Sequence, residues 1–328
     1  MGSNQPPIEK GIPMIDEMRA KYREIRRQVY EQATMPVVAS ECRYTENKSR
    51  LQNGVEAVCN RANLSHWSAA TSDARHALWN HLWTKNRYAG IRAQIATTEI
   101  TQLTPLFDNY SWFCDPGWDI ESKGHTVQSA GAFARSFLER TGQFANIQTI
   151  GNVPKLKKIV CVARRFKRYF DEHPNAVAIE FVTRTLRSDD TWAVHDQLME
   201  LGYTADLTAL HFMMDVGFQV IKPDIVISRL FLDWGWLHHA IPLLPANVTR
   251  ADLGGTGGYG ARYFYTKPTI YKPVINLARK IVREIDAQDL IADIGWATTN
   301  PIREFDIFVV KAGQLPEKEF GIERRLYS

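Results

Sequence analysis

The stretch 191–236, TWAVHDQLMELGYTADLTALHFMMDVGFQVIKPDIVISRLFLDWGW, decides the fold that we expect for this chain. Its first apolar residues recur with helical spacing as far as residue 201, and the turn-forming residues 202–206 interrupt them. A second helix is predicted over 207–216, and a short extended link leads to a third helix that opens at Pro223 and Asp224. The stretch therefore predicts two short helices joined by a tight turn, followed by a helix that begins with a carboxylate.

This arrangement suits contact with a nucleic acid. A tight turn between two helices exposes backbone N–H groups that can donate hydrogen bonds to a phosphate. The third helix holds Asp224 where the N-terminal N–H groups and the helix dipole favour a negative charge. An Asp at a helix start is also a common cap, so it is the spacing from the hairpin that makes Asp224 a candidate for chemistry.

The blocks on either side of the second helix resemble the helix-hairpin-helix superfamily of DNA glycosylases. Residues 201–209, LGYTADLTA, are similar to the family's hairpin L-P-G-V-G-x-K-T-A. Residues 222–230, KPDIVISRL, are similar to V-D-T-H-V-x-R-[VL], which carries a catalytic Asp, and residues 212–217, FMMDVG, resemble the F-M-Q-A-x-G of 3-methyladenine glycosylases. The resemblance covers residues 85–240. It implies a two-lobed helical fold that flips a damaged or modified base out of double-stranded DNA and hydrolyses its N-glycosidic bond.

The resemblance also implies roles for single residues. Asp224 becomes the catalytic carboxylate, which stabilises the positive charge that develops on the sugar as the glycosidic bond breaks. Leu207 stands where bifunctional members carry a Schiff-base lysine, and because leucine cannot form an imine, the monofunctional branch and an abasic product are expected. Gly202 is the single glycine of the hairpin and Asp206 adds a negative charge, two departures from the family's phosphate-binding turn. The implied DNA-binding residues are Gly202, Tyr203, Thr204, Ala205, Thr208, Lys222 and Arg229.

An aromatic-rich segment at 108–128 is a candidate pocket for a flipped base. Flat apolar faces stack on an extruded base, and neighbouring polar groups can read its edge. The alternative is a loop that the same rings anchor in the core. The predicted pocket residues are Tyr110, Trp112, Phe113 and Trp118.

Helical patterns dominate the chain, so we predict a mainly α protein. Amphipathic helices are expected over 14–33 and 154–173, and Pro273 is expected at the start of a helix over 273–290. Residues 307–310, IFVV, form the best candidate for a short strand. The predicted division is an N-terminal helical extension at 1–80, a glycosylase-like core of two helical lobes at 81–300 and a C-terminal tail at 301–328.

Composition bounds the class of protein. The 328 residues are 45% hydrophobic, which is enough for one large domain or two ordinary ones, and the net charge of +4 permits a nucleic-acid partner without requiring one. The four cysteines form no C-x-x-C pair and the nine histidines form no H-E-x-x-H, so we expect no metal and no cofactor. No apolar run is long enough to span a membrane, so we expect no membrane partner. We also expect an intracellular, cytoplasmic protein, and a monomer.

Three alternatives remain open in the sequence. The glycine-rich segment 252–260, DLGGTGGYG, has no Lys-Ser/Thr after it, so we expect a surface loop rather than the phosphate site of a nucleotide-handling enzyme. A non-catalytic helix-hairpin-helix DNA-binding protein is the alternative to a glycosylase, and the role of Asp224 separates the two. The substrate is open between an alkylated base and a hypermodified phage base such as glucosylated hydroxymethylcytosine. The larger base is considered because the segments outside 81–300 extend the minimal glycosylase core and could enclose it.

Overall fold

A computed structural model describes residues 14–32, 48–61, 69–88, 101, 104, 107, 110–114, 153–178, 180–181, 191–200, 206–254 and 268–313. Within these ranges the regular structure is helical and no strand is present, so the predicted mainly α class is confirmed. The helices are α1 (Ile15–Gln32), α2 (Lys48–Arg61), α3 (Ser72–Tyr88), a 3-10 helix (Tyr110–Cys114), α4 (Val153–Glu172), α5 (Thr191–Glu200), α6 (Asp206–Asp215), α7 (Ile225–Asp233), α8 (Trp236–Ala240), α9 (Arg250–Gly254), α10 (Pro268–Arg283), α11 (Ala287–Ile294) and α12 (Pro301–Ala312).

Two of the predicted amphipathic helices lie where their apolar spacing places them. The prediction over 14–33 is confirmed by α1, and the prediction over 154–173 is confirmed by α4. None of the helices in the described ranges combines the length and the apolar character that crossing a bilayer requires.

The strand predicted over 307–310 is wrong, because these residues lie in α12. Phe305, Phe308, Val309 and Ala312 are all buried. Their i, i+3, i+4, i+7 spacing is that of one helix face, which packs into the core. The periodicity of a four-residue apolar run does not distinguish a strand from a buried helix. The spacing of the buried residues over the whole of α12 does, and it is helical.

Two predicted helix boundaries are also wrong. The helix predicted over 273–290 is two helices, because Asp286 caps a new helix, and Pro273 lies inside α10 rather than at its start. There proline costs one backbone hydrogen bond. The third helix of the opening stretch, expected to open at Pro223 and Asp224, begins at Ile225 and ends at Asp233. A further short helix follows Gly235, whose φ of 72° is a left-handed conformation that glycine adopts without strain.

The chain forms two compact units. Unit 1 combines Met1–Ala62 with Gln219–Ser328, and unit 2 consists of Asn63–Phe218. The predicted boundary at residue 80 falls inside unit 2, and the one at residue 300 falls inside unit 1. The division into extension, core and tail stays a prediction.

The core of unit 1 is built around the first helix of the chain. α1 packs against α10, α11 and α12, and the Tyr22 and Phe305 rings lie 4.7 Å apart. The fully buried Arg26 donates through Nε to Glu304 Oε1 at 2.7 Å, and to the carbonyl oxygens of Leu290 at 2.8 Å and Trp296 at 3.1 Å. One guanidinium therefore joins α1 to α11, to α12 and to the segment between them.

The core of unit 2 is aromatic. The Phe166 ring of α4 lies 6.1 Å from Trp79 of α3, 4.8 Å from Phe170 and 5.0 Å from Phe181. The buried Trp79 indole donates to the carbonyl of Phe107 at 2.5 Å, which satisfies its only polar atom. This cluster fixes α3 against α4, and α6 packs on α3 and α5.

Removing one partner of the Arg26–Glu304 pair should cost more than removing both. Arg26→Met leaves a buried carboxylate without its cation, and we expect the free energy of unfolding to fall by about 3–5 kcal/mol. Arg26→Met/Glu304→Leu leaves no unpaired charge and should recover part of that loss. Urea unfolding followed by circular dichroism measures both, with Arg27→Met, at an exposed neighbour, as the control. Equal losses in the single and double variants would contradict this account.

Candidate catalytic carboxylate and nucleic-acid interface

Asp224 lies where the opening stretch predicts it, at the N-cap of α7. Its backbone is extended, with φ −72° and ψ −176°, and its Oδ1 accepts from the N–H of Val226 at 3.0 Å and of Ile227 at 3.2 Å. Its second oxygen, Oδ2, accepts no hydrogen bond from any residue that the structure describes. One oxygen thus fixes the carboxylate on the helix while the other stays open to a further partner, and the helix N-terminus favours its negative charge.

The backbone before Asp224 is held at several points. The Asp224 N–H donates to the carbonyl of Lys222, which closes a tight turn around Pro223. The Ser228 hydroxyl donates to the Pro223 carbonyl at 3.2 Å, and the Ser228 N–H donates to the Asp224 carbonyl at 2.9 Å. The position of the carboxylate is therefore set by both the turn and the first turn of α7.

Two predicted phosphate-binding residues flank this carboxylate in unit 1. Lys222 and Arg229 are both partly exposed, and neither forms an ion pair with a carboxylate in the described ranges. Arg229 Nε is buried and makes no hydrogen bond to the described residues. Partly exposed cations are suited to the phosphates of a polyanion.

Sequence reasoning missed Asp306, which comes from the predicted tail. Its Oδ1 accepts from the Lys222 N–H at 3.1 Å, and its Oδ2 accepts from Arg303 at 2.8 Å. The pKa of Asp306 is raised to about 6, chiefly by burial; Arg303 and the Lys222 N–H oppose the shift, and the nearby charge of Asp224 adds to it. The helical spacing of α12 could have placed Asp306 beside its buried face, but no local pattern connects it with Lys222.

The helices on either side of the predicted hairpin are present as α5 and α6 in unit 2. The hairpin residues Gly202, Tyr203, Thr204 and Ala205 lie outside the described residues. Thr208 and Leu207 belong to the first turn of α6, and their side chains lie outside the described part. The hairpin itself, its phosphate contacts and the monofunctional chemistry inferred from Leu207 stay predictions.

A buried ionic cluster ties α6 to α3. Asp215 Oδ2 lies 3.1 Å from His81 Nε2 and also pairs with Lys85, whose Nζ lies 3.1 Å from His211 Nε2. Burial raises the pKa of the Asp215 carboxyl, but the hydrogen bond from His81 and the charge of Lys85 outweigh it and hold that pKa well below its usual range. The cluster therefore fixes the second helix of the predicted hairpin through a carboxylate that stays ionised.

The predicted aromatic pocket is described only at Tyr110, in the 3-10 helix. Its ring lies 4.8 Å from Phe166, 6.0 Å from Trp79 and 5.9 Å from His76, so this tyrosine joins the aromatic core of unit 2. Trp112 and Phe113 belong to the same helix, but their side chains lie outside the described part, as does Trp118. The packing of Tyr110 favours the core anchor for this residue, and the pocket stays a prediction for the other three.

Neither the described side chains nor the comparisons with known proteins indicate another kind of functional site. No group of His, Cys, Asp or Glu side chains in the described ranges is arranged to hold a metal ion. Most of the glycine-rich segment 252–260 lies outside those ranges, after α9. No protein-family model, curated protein or solved structure matches the chain.

Neutralising Asp215 should weaken unit 2 in a pH-dependent way. The pKa of Asp215 is lower in the folded protein than in the unfolded chain, so its ionised carboxyl stabilises the fold above the unfolded-state pKa of about 3.9. This contribution to the free energy of unfolding is lost as the pH falls through the folded-state pKa. Asp215→Asn should cost about 3 kcal/mol or more at pH 7, since it removes the carboxylate that pairs with the largely desolvated Lys85, and the difference from wild type should shrink below about pH 4. Urea unfolding at pH 7 and pH 3 tests this.

The control for that measurement is Asp171→Asn. Asp171 pairs with Lys167 on the exposed face of α4, where solvent screens the pair, so this variant should unfold like wild type. A loss in Asp215→Asn that is the same at both pH values would mean that packing, rather than charge, holds α6 to α3.

Proposed function

We propose that the chain is a monofunctional DNA glycosylase that flips a damaged or modified base and hydrolyses its N-glycosidic bond. The observation that carries this proposal is Asp224, fixed through Oδ1 by two backbone N–H groups and open at Oδ2. As the bond breaks, positive charge builds up on the sugar, and a carboxylate held in place before the reaction stabilises that charge without reorganising. Asp224 also has the geometry to orient the attacking water through Oδ2.

The cationic side chains on either side of Asp224 support a DNA partner. Lys222 and Arg229 lie in the same segment as the carboxylate and have no ion-pair partner in the described ranges. In the proposed complex they neutralise phosphates next to the reacting nucleotide. Separately, the hairpin that the sequence predicts at residues 202–206 would offer backbone N–H groups to a phosphate. Phosphate contacts position the DNA, and the chemistry is left to Asp224.

We propose the base only as a chemical class, either alkylated or hypermodified. An alkylated base carries a weakened glycosidic bond, so electrostatic stabilisation of the sugar is enough to release it. A hypermodified base such as glucosylated hydroxymethylcytosine needs a larger enclosure, which the segments outside 81–300 would supply. Abasic-site formation on DNAs with alkylated, deaminated, oxidised or glucosylated bases separates these classes.

The second candidate function is a DNA-binding protein without catalysis. It is favoured by one observation: Asp286 caps α11 with the same kind of hydrogen bond, to Gln288 N–H at 2.8 Å, so an Asp at a helix start is also ordinary in this fold. Under this alternative Asp224 only caps α7, and a charge facing DNA weakens binding.

Replacing Asp224 decides between the two candidates. Asp224→Asn keeps an oxygen that caps α7 but removes the charge, so single-turnover base release should fall about 100-fold or more while DNA affinity stays the same or rises. The wild-type product should be an intact strand with an alkali-labile abasic site, and borohydride should trap no protein–DNA adduct.

Asp286→Asn is the matched control, because it makes the same change at a second aspartate N-cap of unit 1. It should leave both release and affinity at the wild-type level. If no DNA of the panel loses a base with the wild-type protein and Asp224→Asn only tightens binding, the non-catalytic function is correct.

Truncating the flanking cations should weaken binding without sequence preference. Lys222→Ala and Arg229→Ala should each lower the slope of log K against log salt by about 0.9, the value for one lost phosphate contact. Fluorescence anisotropy between about 50 and 200 mM salt measures the slope. Arg283→Ala, at an exposed position of α10, is the control, and equal slopes in all four proteins would remove Lys222 and Arg229 from the interface.

A further inference from the structure

Asp306 is a buried carboxylate that the proposed mechanism does not use. It is about 92% buried and far from Asp224 along the chain, yet both of its oxygens have partners. Burying a carboxylate is costly, and well-packed apolar residues often replace a buried ion pair without loss of stability. The contacts of Asp306 therefore call for an explanation other than stability.

Those contacts lead to the backbone that carries Asp224. Asp306 Oδ1 accepts from the Lys222 N–H at 3.1 Å. A residue before proline is confined to extended conformations, and the Asp224 N–H bonds back to the Lys222 carbonyl, so few backbone rotations separate residue 222 from residue 224. Fixing the Lys222 amide therefore fixes the start of the turn that presents the carboxylate.

Arg303 holds Asp306 in place for this contact. Arg303 lies one helical turn before Asp306 on α12, and its Nη1 donates to Asp306 Oδ2 at 2.8 Å. The carboxylate therefore bridges α12 and the turn at residues 222–224. The pKa of Asp306, raised by burial to about 6, shows that the ionised form is kept at a cost. Asp224 contributes to that shift, so the two carboxylates are close enough to interact.

We propose that Asp306 is a positioning residue, which sets the place of the Asp224 carboxylate by accepting the Lys222 N–H from α12. The inference rests on the proposed function in one respect, that the positioned carboxylate acts on a sugar. Asp306 touches no substrate itself. Its loss should slow the chemical step and leave the affinity for DNA unchanged, because the cations that bind phosphates keep their side chains.

Two double variants isolate the contact from the buried charge. Asp306→Asn/Arg303→Met keeps an oxygen that accepts the Lys222 N–H, and Asp306→Leu/Arg303→Met has nearly the same shape without an acceptor. Both variants remove the Asp306–Arg303 ion pair as a whole. Single-turnover release should stay within about 3-fold of wild type in the Asn variant and fall about 10-fold or more in the Leu variant, since a small misplacement costs this much. Equal release in the two would overturn the inference.

Amide hydrogen exchange tests the contact independently of catalysis. The Lys222 amide should be protected in the wild-type protein and in the Asn variant, and it should exchange at least 10-fold faster in the Leu variant while the Val226 amide, bonded to Asp224, stays protected. If the Lys222 amide of the wild-type protein exchanges as fast as an exposed amide, the inference is overturned. This wild-type measurement decides the question even if the Leu variant does not fold. If wild type releases no base but this pattern holds, the proposed function fails and the positioning contact stands.

Discussion

The buried guanidinium of Arg26 is the constraint on which the candidate site depends. It has no solvent to hydrate it, so each of its donors must find an acceptor in the fold, and the acceptors come from Glu304 and from the Leu290 and Trp296 carbonyls. These groups are far apart in the chain and can be satisfied together in few arrangements of α1, α11 and α12. Fixing α12 in turn fixes Asp306, and through it the turn that carries Asp224.

The two units satisfy their buried charges by different means. In unit 1 burial raises the pKa of Glu304 in spite of Arg26 beside it, which shows that desolvation outweighs the attraction of the pair. In unit 2 the cationic partners of Asp215 outweigh its burial and hold its pKa low. The first pair therefore acts through geometry, since wrong packing leaves a charge unpaired, and the second also contributes attraction.

The elements that the sequence predicts correctly are those whose physics is local. The helices α1 and α4 follow from apolar spacing, and the N-cap at Asp224 follows from a Pro-Asp pair before an apolar run. Predictions fail where two local rules compete: a β-branched run in α12 suggests a strand, and Pro273 suggests a helix start, but in both cases tertiary packing extends the helix.

The residues that the sequence could not connect lie far apart in the chain and meet only in the fold. Nothing near Asp306 indicates that its carboxylate reaches the Lys222 amide, and nothing near Asp215 indicates that His81 and Lys85 converge on it. Composition left two roles open for Tyr110, a base pocket or a core anchor, and the fold places its ring 4.8 Å from that of Phe166.

The comparison of Asp224 with Asp286 shows why a helix cap alone does not explain this site. Both side chains accept backbone N–H groups at the start of a helix, and an exposed Asp286 does so with no further apparatus. Asp224 has in addition a turn anchored by a buried carboxylate from another helix, and cations on both sides that have no ion-pair partner in the described ranges. A cap requires only an oxygen within reach of the first backbone amides of the helix, so the contact of Asp306 with the Lys222 N–H adds a constraint on the backbone before Asp224 that capping does not need. The proposed role in catalysis depends on that backbone and on the second carboxylate oxygen, Oδ2.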